Sequence, residues 1–235
     1  MFQFKQFSVK QEQCAMKIGT DGVLLGAWTP IENNPMRILD IGTGTGIIAL
    51  MLAQRTGAEQ IDALEIDAAA YEQAVDNFEN SRWNDRLFCF HAKLDEFMEE
   101  PEDEYDLIVS NPPFYSENYK TENQERDLAR FQDAMPFEDL VEAANLLLSE
   151  NGIFAVVIPF KEEKRLISMA QEYQLFPNKI TRVKGTPTSE IKRSLLAFAR
   201  KKNLTCSKDE LVIEIERHVY TSDYVKLTRD FYLKM

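Results

Sequence analysis

Two short stretches of this 235-residue chain carry residue types that could do chemistry. The first is Asn111-Pro112-Pro113-Phe114. An exocyclic amine or an amide nitrogen is a poor nucleophile because its lone pair is delocalised. The side-chain carbonyl of Asn111 and the backbone carbonyl of Pro112 can each accept one of its N–H groups. That grip holds the nitrogen toward tetrahedral geometry with its lone pair aimed at an electrophile, and such alignment lowers the barrier without a strong base. Two prolines fix φ and stiffen the backbone, as a preorganised site requires. A ring at Phe114 offers a flat stacking face. Asn111, Pro112, Pro113 and Phe114 are the candidate catalytic residues.

The second stretch is Asp40-Ile-Gly-Thr-Gly-Thr-Gly46. Glycines at every second position let a backbone come close to a ligand, and the helix predicted to follow offers free N–H groups at its start. A dinucleotide site asks for G-x-G-x-x-G; Gly42, Gly44 and Gly46 are spaced G-x-G-x-G instead. Asp40 would repel a pyrophosphate but suits a cationic ligand. Glu65 lies nineteen residues beyond Gly46 at the end of the next predicted strand, where an acid can bind two ribose hydroxyls. With its neighbour Ile66 it completes a candidate nucleoside site.

Alternating strands and helices must position these residues. Residues 38–41 read as a buried strand entering the glycine turn. Further strands are predicted at 60–67, 87–91, 107–109, 152–159, 180–183 and 195–199, with helices at about 69–80, 136–149 and 162–173. In a parallel sheet, the end of the strand before Asn111 shares a rim with the glycine turn. Residues 2–9 alternate apolar and polar, as an edge strand would, and Thr20 or Asp21 could cap a helix through Trp28. The tail after 211 reads as a strand and a terminal helix. The expectation is one α/β domain with a mostly parallel seven-stranded sheet and helices on both faces. Residues 1–36 would form a lid, 37–200 the core, and 201–235 a tail packed on it.

Composition narrows the function. The net charge of −12 argues against a surface that coats nucleic acid as a whole. Within residues 178–203, however, eight Lys and Arg stand against one Glu. A basic hairpin there, with Lys184, Lys192 and Arg193, would steer a phosphate backbone. Lys120 and Arg126, in a polar stretch at 115–135, are further candidate nucleic-acid contacts. The three cysteines and two histidines are too scattered for a metal site or a disulfide framework. That usage fits a reducing cytoplasm. No apolar run is long enough to span a membrane.

The glycine loop resembles the S-adenosylmethionine loop of class I methyltransferases. Together with Met16-Lys-Ile-Gly-Thr-Asp-Gly-Val-Leu-Leu-Gly-Ala-Trp28, Asn111-Pro-Pro-Phe114 and the closing Asp230-Phe-Tyr-Leu, nearly the whole chain resembles the bacterial tRNA(Val) adenine N6-methyltransferases. The resemblance implies a Rossmann-like fold, S-adenosylmethionine as methyl donor, tRNA as substrate and Asn111-Pro-Pro-Phe114 around the target adenine. It places Lys17, Thr20 and the turn at 19–22 over the methionine end of the cofactor. Relatives carry an acid near the cofactor's adenine; here Lys93 stands in that place, with Asp95 two residues on. No metal is implied, and a monomer is expected. Glutamine methylation of release factors uses a similar motif, but only about 36 residues precede the loop here. Guanine-N2 methylation of ribosomal RNA and a non-catalytic S-adenosylmethionine-binding subunit are also compatible with parts of the pattern.

Overall fold

A computed structural model describes residues 1–99, 104–113, 135–202 and 205–235. The first nine residues do not join the main sheet. Strands β1 (Phe2–Gln3) and β2 (Ser8–Val9) pair antiparallel with each other, and Phe4 bridges to Tyr232 in the tail. The rings explain the departure from an edge strand. Phe4 stacks on Phe7 at 4.8 Å and lies 5.8 Å from Tyr232, so folding back buries aromatic surface that an edge position would leave wet.

Among the described residues the main sheet has eight strands: β3 (Arg37–Ile41), β4 (Gln60–Glu65), β5 (Leu87–His91), β6 (Tyr105–Ser110), β7 (Leu148–Pro159), β8 (Phe176–Lys184), β9 (Ile191–Ala199) and β10 (Ser207–Val212). Their spatial order is β10-β8-β9-β7-β6-β3-β4-β5. Of these eight, only β9 runs against its neighbours. The strand beyond the predicted seven is β10, a tail strand laid parallel to β8. From β3 the chain steps to β4 and β5, then returns to place β6 on the other side of β3. Loops leaving β3 and β6 therefore diverge and open a crevice at the carboxyl ends, where ligands bind in such sheets.

Helices cover both faces: α1 (Thr20–Trp28), α2 (Ile47–Arg55), α3 (Ala68–Glu79), the short α4 (Leu94–Met98), α5 (Phe137–Leu147), α6 (Glu163–Glu172) and α7 (Ser222–Thr228). Alternation along β3 feeds both cores. Ile38 packs with α1 and α2, while Leu39 and Ile41 pack with α5 and α6. Residues 22–28 of α1 are all buried, so this helix is enclosed rather than amphipathic. Its close approach to α2 depends on Gly26, where a Cβ would lie 2.7 Å from the Met51 sulfur. The cap of α1 is Gly19, not Thr20 or Asp21. Among the described residues no helix is long and apolar enough to cross a membrane.

Candidate active site at the switch in strand order

The register pairs Ile41 with Ser110, so Gly42 and Asn111 leave adjacent strands at the same level. The Ser110 hydroxyl donates to the Ile41 carbonyl at 2.8 Å and locks the two exits together. Pro112 is buried, and Asn111 and Pro113 are half-buried. Among the described residues the Asn111 amide has no hydrogen-bond partner, so its carbonyl keeps its capacity to accept. A Cβ on Gly22 of α1 would lie 4.0 Å from the Asn111 Nδ2, so the first turn of α1 is a wall of this corner. Phe114, Lys120 and Arg126 lie outside the described residues.

All three glycines of the loop have positive φ: 72° at Gly42, 57° at Gly44 and 78° at Gly46. Their surroundings differ. A Cβ on Gly44 would meet nothing within 4 Å, whereas one on Gly46 would strike Phe78 of α3 at 2.5 Å. Gly44 faces open space that a ligand can enter; Gly46 lets the loop settle on α3. Beneath the loop, Asp40 is fully buried. Its Oδ2 accepts from the Thr43 hydroxyl at 2.6 Å and from the Ala49 N–H at 3.3 Å, while its Oδ1 has no partner among the described residues. Burial pushes its pKa up to about 7, and Glu65 adds to the rise; the two hydrogen bonds pull only partly the other way. Asp40 is thus a brace below the turn rather than a group on the pocket surface.

Glu65 also works on the loop. Its Oε2 accepts from the Gly44 N–H at 2.8 Å, and its Oε1 accepts from Ile66 and Asp67 N–H, each at 2.9 Å. Three of roughly four lone-pair positions of the carboxylate are therefore taken by backbone donors. Beside it opens a cavity of about 350 Å³ whose lining includes Gly42, Ile66, Lys93, Asp95, Asp139 and Glu142. Lys93 and Asp95 both reach this lining, Lys93 as the residue that caps α4 with its N–H donating to Glu96 at 3.2 Å. Three acids against one cation favour a positively charged or neutral ligand.

The N-terminal segment hangs on α3 through a residue that no motif marks. Asn77 is 3% exposed. Its Nδ2 donates to the Lys10 and Thr45 carbonyls at 2.9 Å each, and its Oδ1 accepts from the Lys10 N–H at 2.8 Å. One amide thereby joins the segment to the glycine loop. The signal that could have found it is positional: Gln73 and Asn77 fall on the same helical face as Ala70, Ala74 and Phe78, where a polar residue needs a buried partner. Lys17 and Thr20, expected over the ligand, are exposed, and neither lines the cavity.

The basic hairpin is less free than its composition suggests. Lys184 pairs with Glu210 at 3.0 Å. Arg193 donates through Nε to Asp21 at 2.8 Å. Arg182 grips Glu163 with two bonds of 2.7 and 3.1 Å. Glu210 belongs to β10, beside Arg182 in the register, so the tail strand brings acids to the basic edge. Lys192 is exposed and has no ion partner among the described residues.

Comparison with known proteins fits this architecture. Residues 23–176 match the model of the methyltransferase small domain. A tRNA1(Val) (adenine(37)-N6)-methyltransferase of Flavobacterium johnsoniae is 74% identical, with all of both chains covered. The protein of that name from Trichodesmium erythraeum is 43% identical over 99% of this chain and 98% of its own. Among solved structures, an Agrobacterium tumefaciens protein predicted to be an O-methyltransferase aligns with a TM-score of 0.69 at 17% identity, covering 90% of this chain and 96% of that one. A methyltransferase from Pyrococcus furiosus aligns with a TM-score of 0.53 at 24% identity, covering 74% and 79%. These two likenesses establish the class I methyltransferase fold. The switch-point crevice, the glycine loop and the full-length identity agree: the chain belongs to the methyltransferase small-domain family and, within it, to the tRNA1(Val) (adenine(37)-N6)-methyltransferases.

Proposed function

We propose that this chain transfers a methyl group from S-adenosylmethionine to the exocyclic N6 of adenine 37 in tRNA1(Val). The observation that carries the reading is the corner where Asn111, its amide unengaged among the described residues, meets the open face of the glycine loop across the Ile41–Ser110 register. The full-length relatives of that name support the substrate.

The residues fit the cofactor. Gly44 leaves open the space a Cβ would claim, and the buried Asp40 keeps an oxygen without a partner among the described residues beneath the loop. The cavity beside Ile66 suits an uncharged nucleoside in an acidic surround. S-adenosylmethionine would supply an electrophilic methyl on a sulfonium. Gly42, Gly44 and Gly46 would cradle it, with Asp40 bracing the loop. Glu65 would meet the ribose with the lone pair its backbone donors leave, and Ile66, Lys93 and Asp95 would border the adenine. Lys17, on the exposed segment before α1, would close over the methionine end, and Thr20 would border it from the fixed start of α1. Asn111 and Pro112 would accept the two N6 hydrogens, Pro113 would keep the turn stiff, and Phe114 would stack on the extruded base. The proton leaves after transfer, so no strong base is needed beside Asn111. Lys120, Arg126, Lys184, Lys192 and Arg193 are the proposed phosphate contacts from the sequence, and the ion pairs weaken that role for Lys184 and Arg193. The enzyme would act as a single-domain monomer in the cytoplasm; of residues 1–36, expected as a lid, Phe4, Phe7, Val9 and α1 are buried in the core, and the exposed residues 15–17 are left to close over the site.

The test offers the purified protein labelled S-adenosylmethionine with bulk tRNA, ribosomal RNA and release factor in separate reactions. N6-methyladenosine at position 37 of tRNA1(Val) is expected. Label on a release-factor glutamine or on ribosomal guanine would overturn the assignment.

A further inference from the structure

We infer that Arg193 and Asp21 form a positioning pair that sets the wall of the target-base corner, and that Arg193 is not chiefly a phosphate contact. The inference rests on the methyl transfer proposed above. Arg193, the third residue of β9, pairs with Pro159, the last residue of β7, and so stands at the carboxyl rim of the sheet. Its Nε donates to Asp21 at 2.8 Å, and both side chains are about two-thirds covered, with 36% and 28% exposed. A second bond, from Nη1 to the Lys192 carbonyl at 3.2 Å, fixes the plane of the guanidinium. Asp21 lies in the first turn of α1, immediately before Gly22. At Gly22 an added Cβ would lie 3.4 Å from Ile47 and 4.0 Å from the Asn111 amide.

The far end of α1 is tied to the same hairpin. Trp28 donates through its indole to Thr181 of β8 at 2.7 Å, and Thr181 in turn bonds to Asp209 of β10. A nearly all-buried helix clamped at both ends has one position along its axis. The Arg193–Asp21 pair sets that position at the end beside Asn111. The amide that must align the target nitrogen has no side-chain tether among the described residues, so the surface packed against it decides where it sits. A guanidinium holding a carboxylate across two elements gives direction as well as charge, which a lysine would not reproduce.

The experiment measures kcat and KM for tRNA, and cofactor affinity by calorimetry, on Asp21→Asn, Arg193→Gln, Arg193→Lys and the exchange Asp21→Arg with Arg193→Asp. A positioning pair predicts that Asp21→Asn, Arg193→Gln and Arg193→Lys each lower kcat about tenfold, with KM and cofactor affinity within about twofold, since a small misplacement is felt in the aligned step. The exchange recovers part of the loss. A phosphate contact predicts the reverse pattern: Arg193→Gln raises KM and flattens its salt dependence, while Arg193→Lys and Asp21→Asn stay near the parent. That pattern overturns the proposal. Arg193→Lys keeps the charge and changes least, so it remains informative if the exchange fails to fold. Should the parent protein methylate another substrate instead of tRNA, the proposed function fails, and the same split on that substrate still decides the role of the pair.

Discussion

The two halves of the sheet, β3 to β5 and β6 to β10, hold the buried carboxylates Asp40 and Glu65 on one side and Glu163 on the other in opposite ways. On the β3 side, Asp40 and Glu65 have no cation beside them among the described residues and bond to backbone N–H groups and the Thr43 hydroxyl of the loop. On the other side, Glu163 is held by Arg182 and Ser194. Burial pushes the Asp40 pKa up to about 7. Burial also pushes Glu163 up, yet the Arg182 and Ser194 hydrogen bonds and the Arg182 charge outweigh it, and its pKa ends below the usual glutamate range. The difference teaches which half shapes a ligand surface from backbone and which is cross-braced by side chains. The first leaves open glycine backbone; the second pairs Arg182, Lys184 and Arg193 with acids and leaves the Asn111 amide unengaged among the described residues.

The comparison can be broken most directly at Asn111. Asn111→Ala is expected to lower turnover by about 10²-fold or more, because alignment of the nitrogen is lost, while calorimetry finds cofactor affinity nearly unchanged. An equal loss of both would mean that the two halves do not divide the work. Next come the glycines. Gly46→Ala should cost about 2–3 kcal/mol in urea unfolding, since it adds left-handed strain and a clash with Phe78. Gly44→Ala should cost only about 1 kcal/mol of stability and show its main effect as weaker cofactor binding, because its Cβ would occupy the cradle.

The two carboxylates give opposite pH slopes. Asp40 is protonated more readily in the folded state, so its contribution to stability falls as pH rises from 3.8 to about 7. Asp40→Asn should flatten that fall in unfolding experiments across this window. Glu163 is ionised more readily in the folded state, so its contribution is full above the ordinary glutamate range and fades only as pH drops below it. Arg182→Leu should remove that resistance to acid and cost about 2 kcal/mol at neutral pH, a partly exposed version of breaking a buried pair. The smallest effect concerns RNA. Lys192→Gln should weaken tRNA binding about threefold and lower the salt slope by roughly one charge, whereas Lys184→Gln, already paired with Glu210, should change it less than twofold. Equal effects at both would show that the ion pair opens to receive phosphate.

The local signals of both halves were legible in the sequence, and the pairings that cross-brace the second half were not. A glycine loop, its acid and the following acid lie close along the chain, and each has a geometric meaning wherever the fold is parallel. Strands β3, β5 and β6 follow the hydrophobic runs to within two residues of the expectation. The basic run at 178–203 misled because its partners are remote. Arg193 meets Asp21 across 172 residues of sequence, and Lys184 meets Glu210 only because β10 pairs with β8. The expected edge strand at 2–9 folded back for a similar reason: its aromatic partner, Tyr232, lies at the other end of the chain.

By itself, then, the sequence determined the strand-to-glycine-turn device, the Asn111-Pro-Pro turn and the parallel α/β frame that sets both on one rim, because periodicity and φ restriction act between near neighbours. Only the tertiary structure decided that Asp40 lies under the loop rather than at its surface, that Asn77 pins the N-terminal segment, and that the hairpin cations are mostly paired. Desolvation and charge pairing depend on what packs opposite a residue, and that is fixed when the sheet order brings distant segments together.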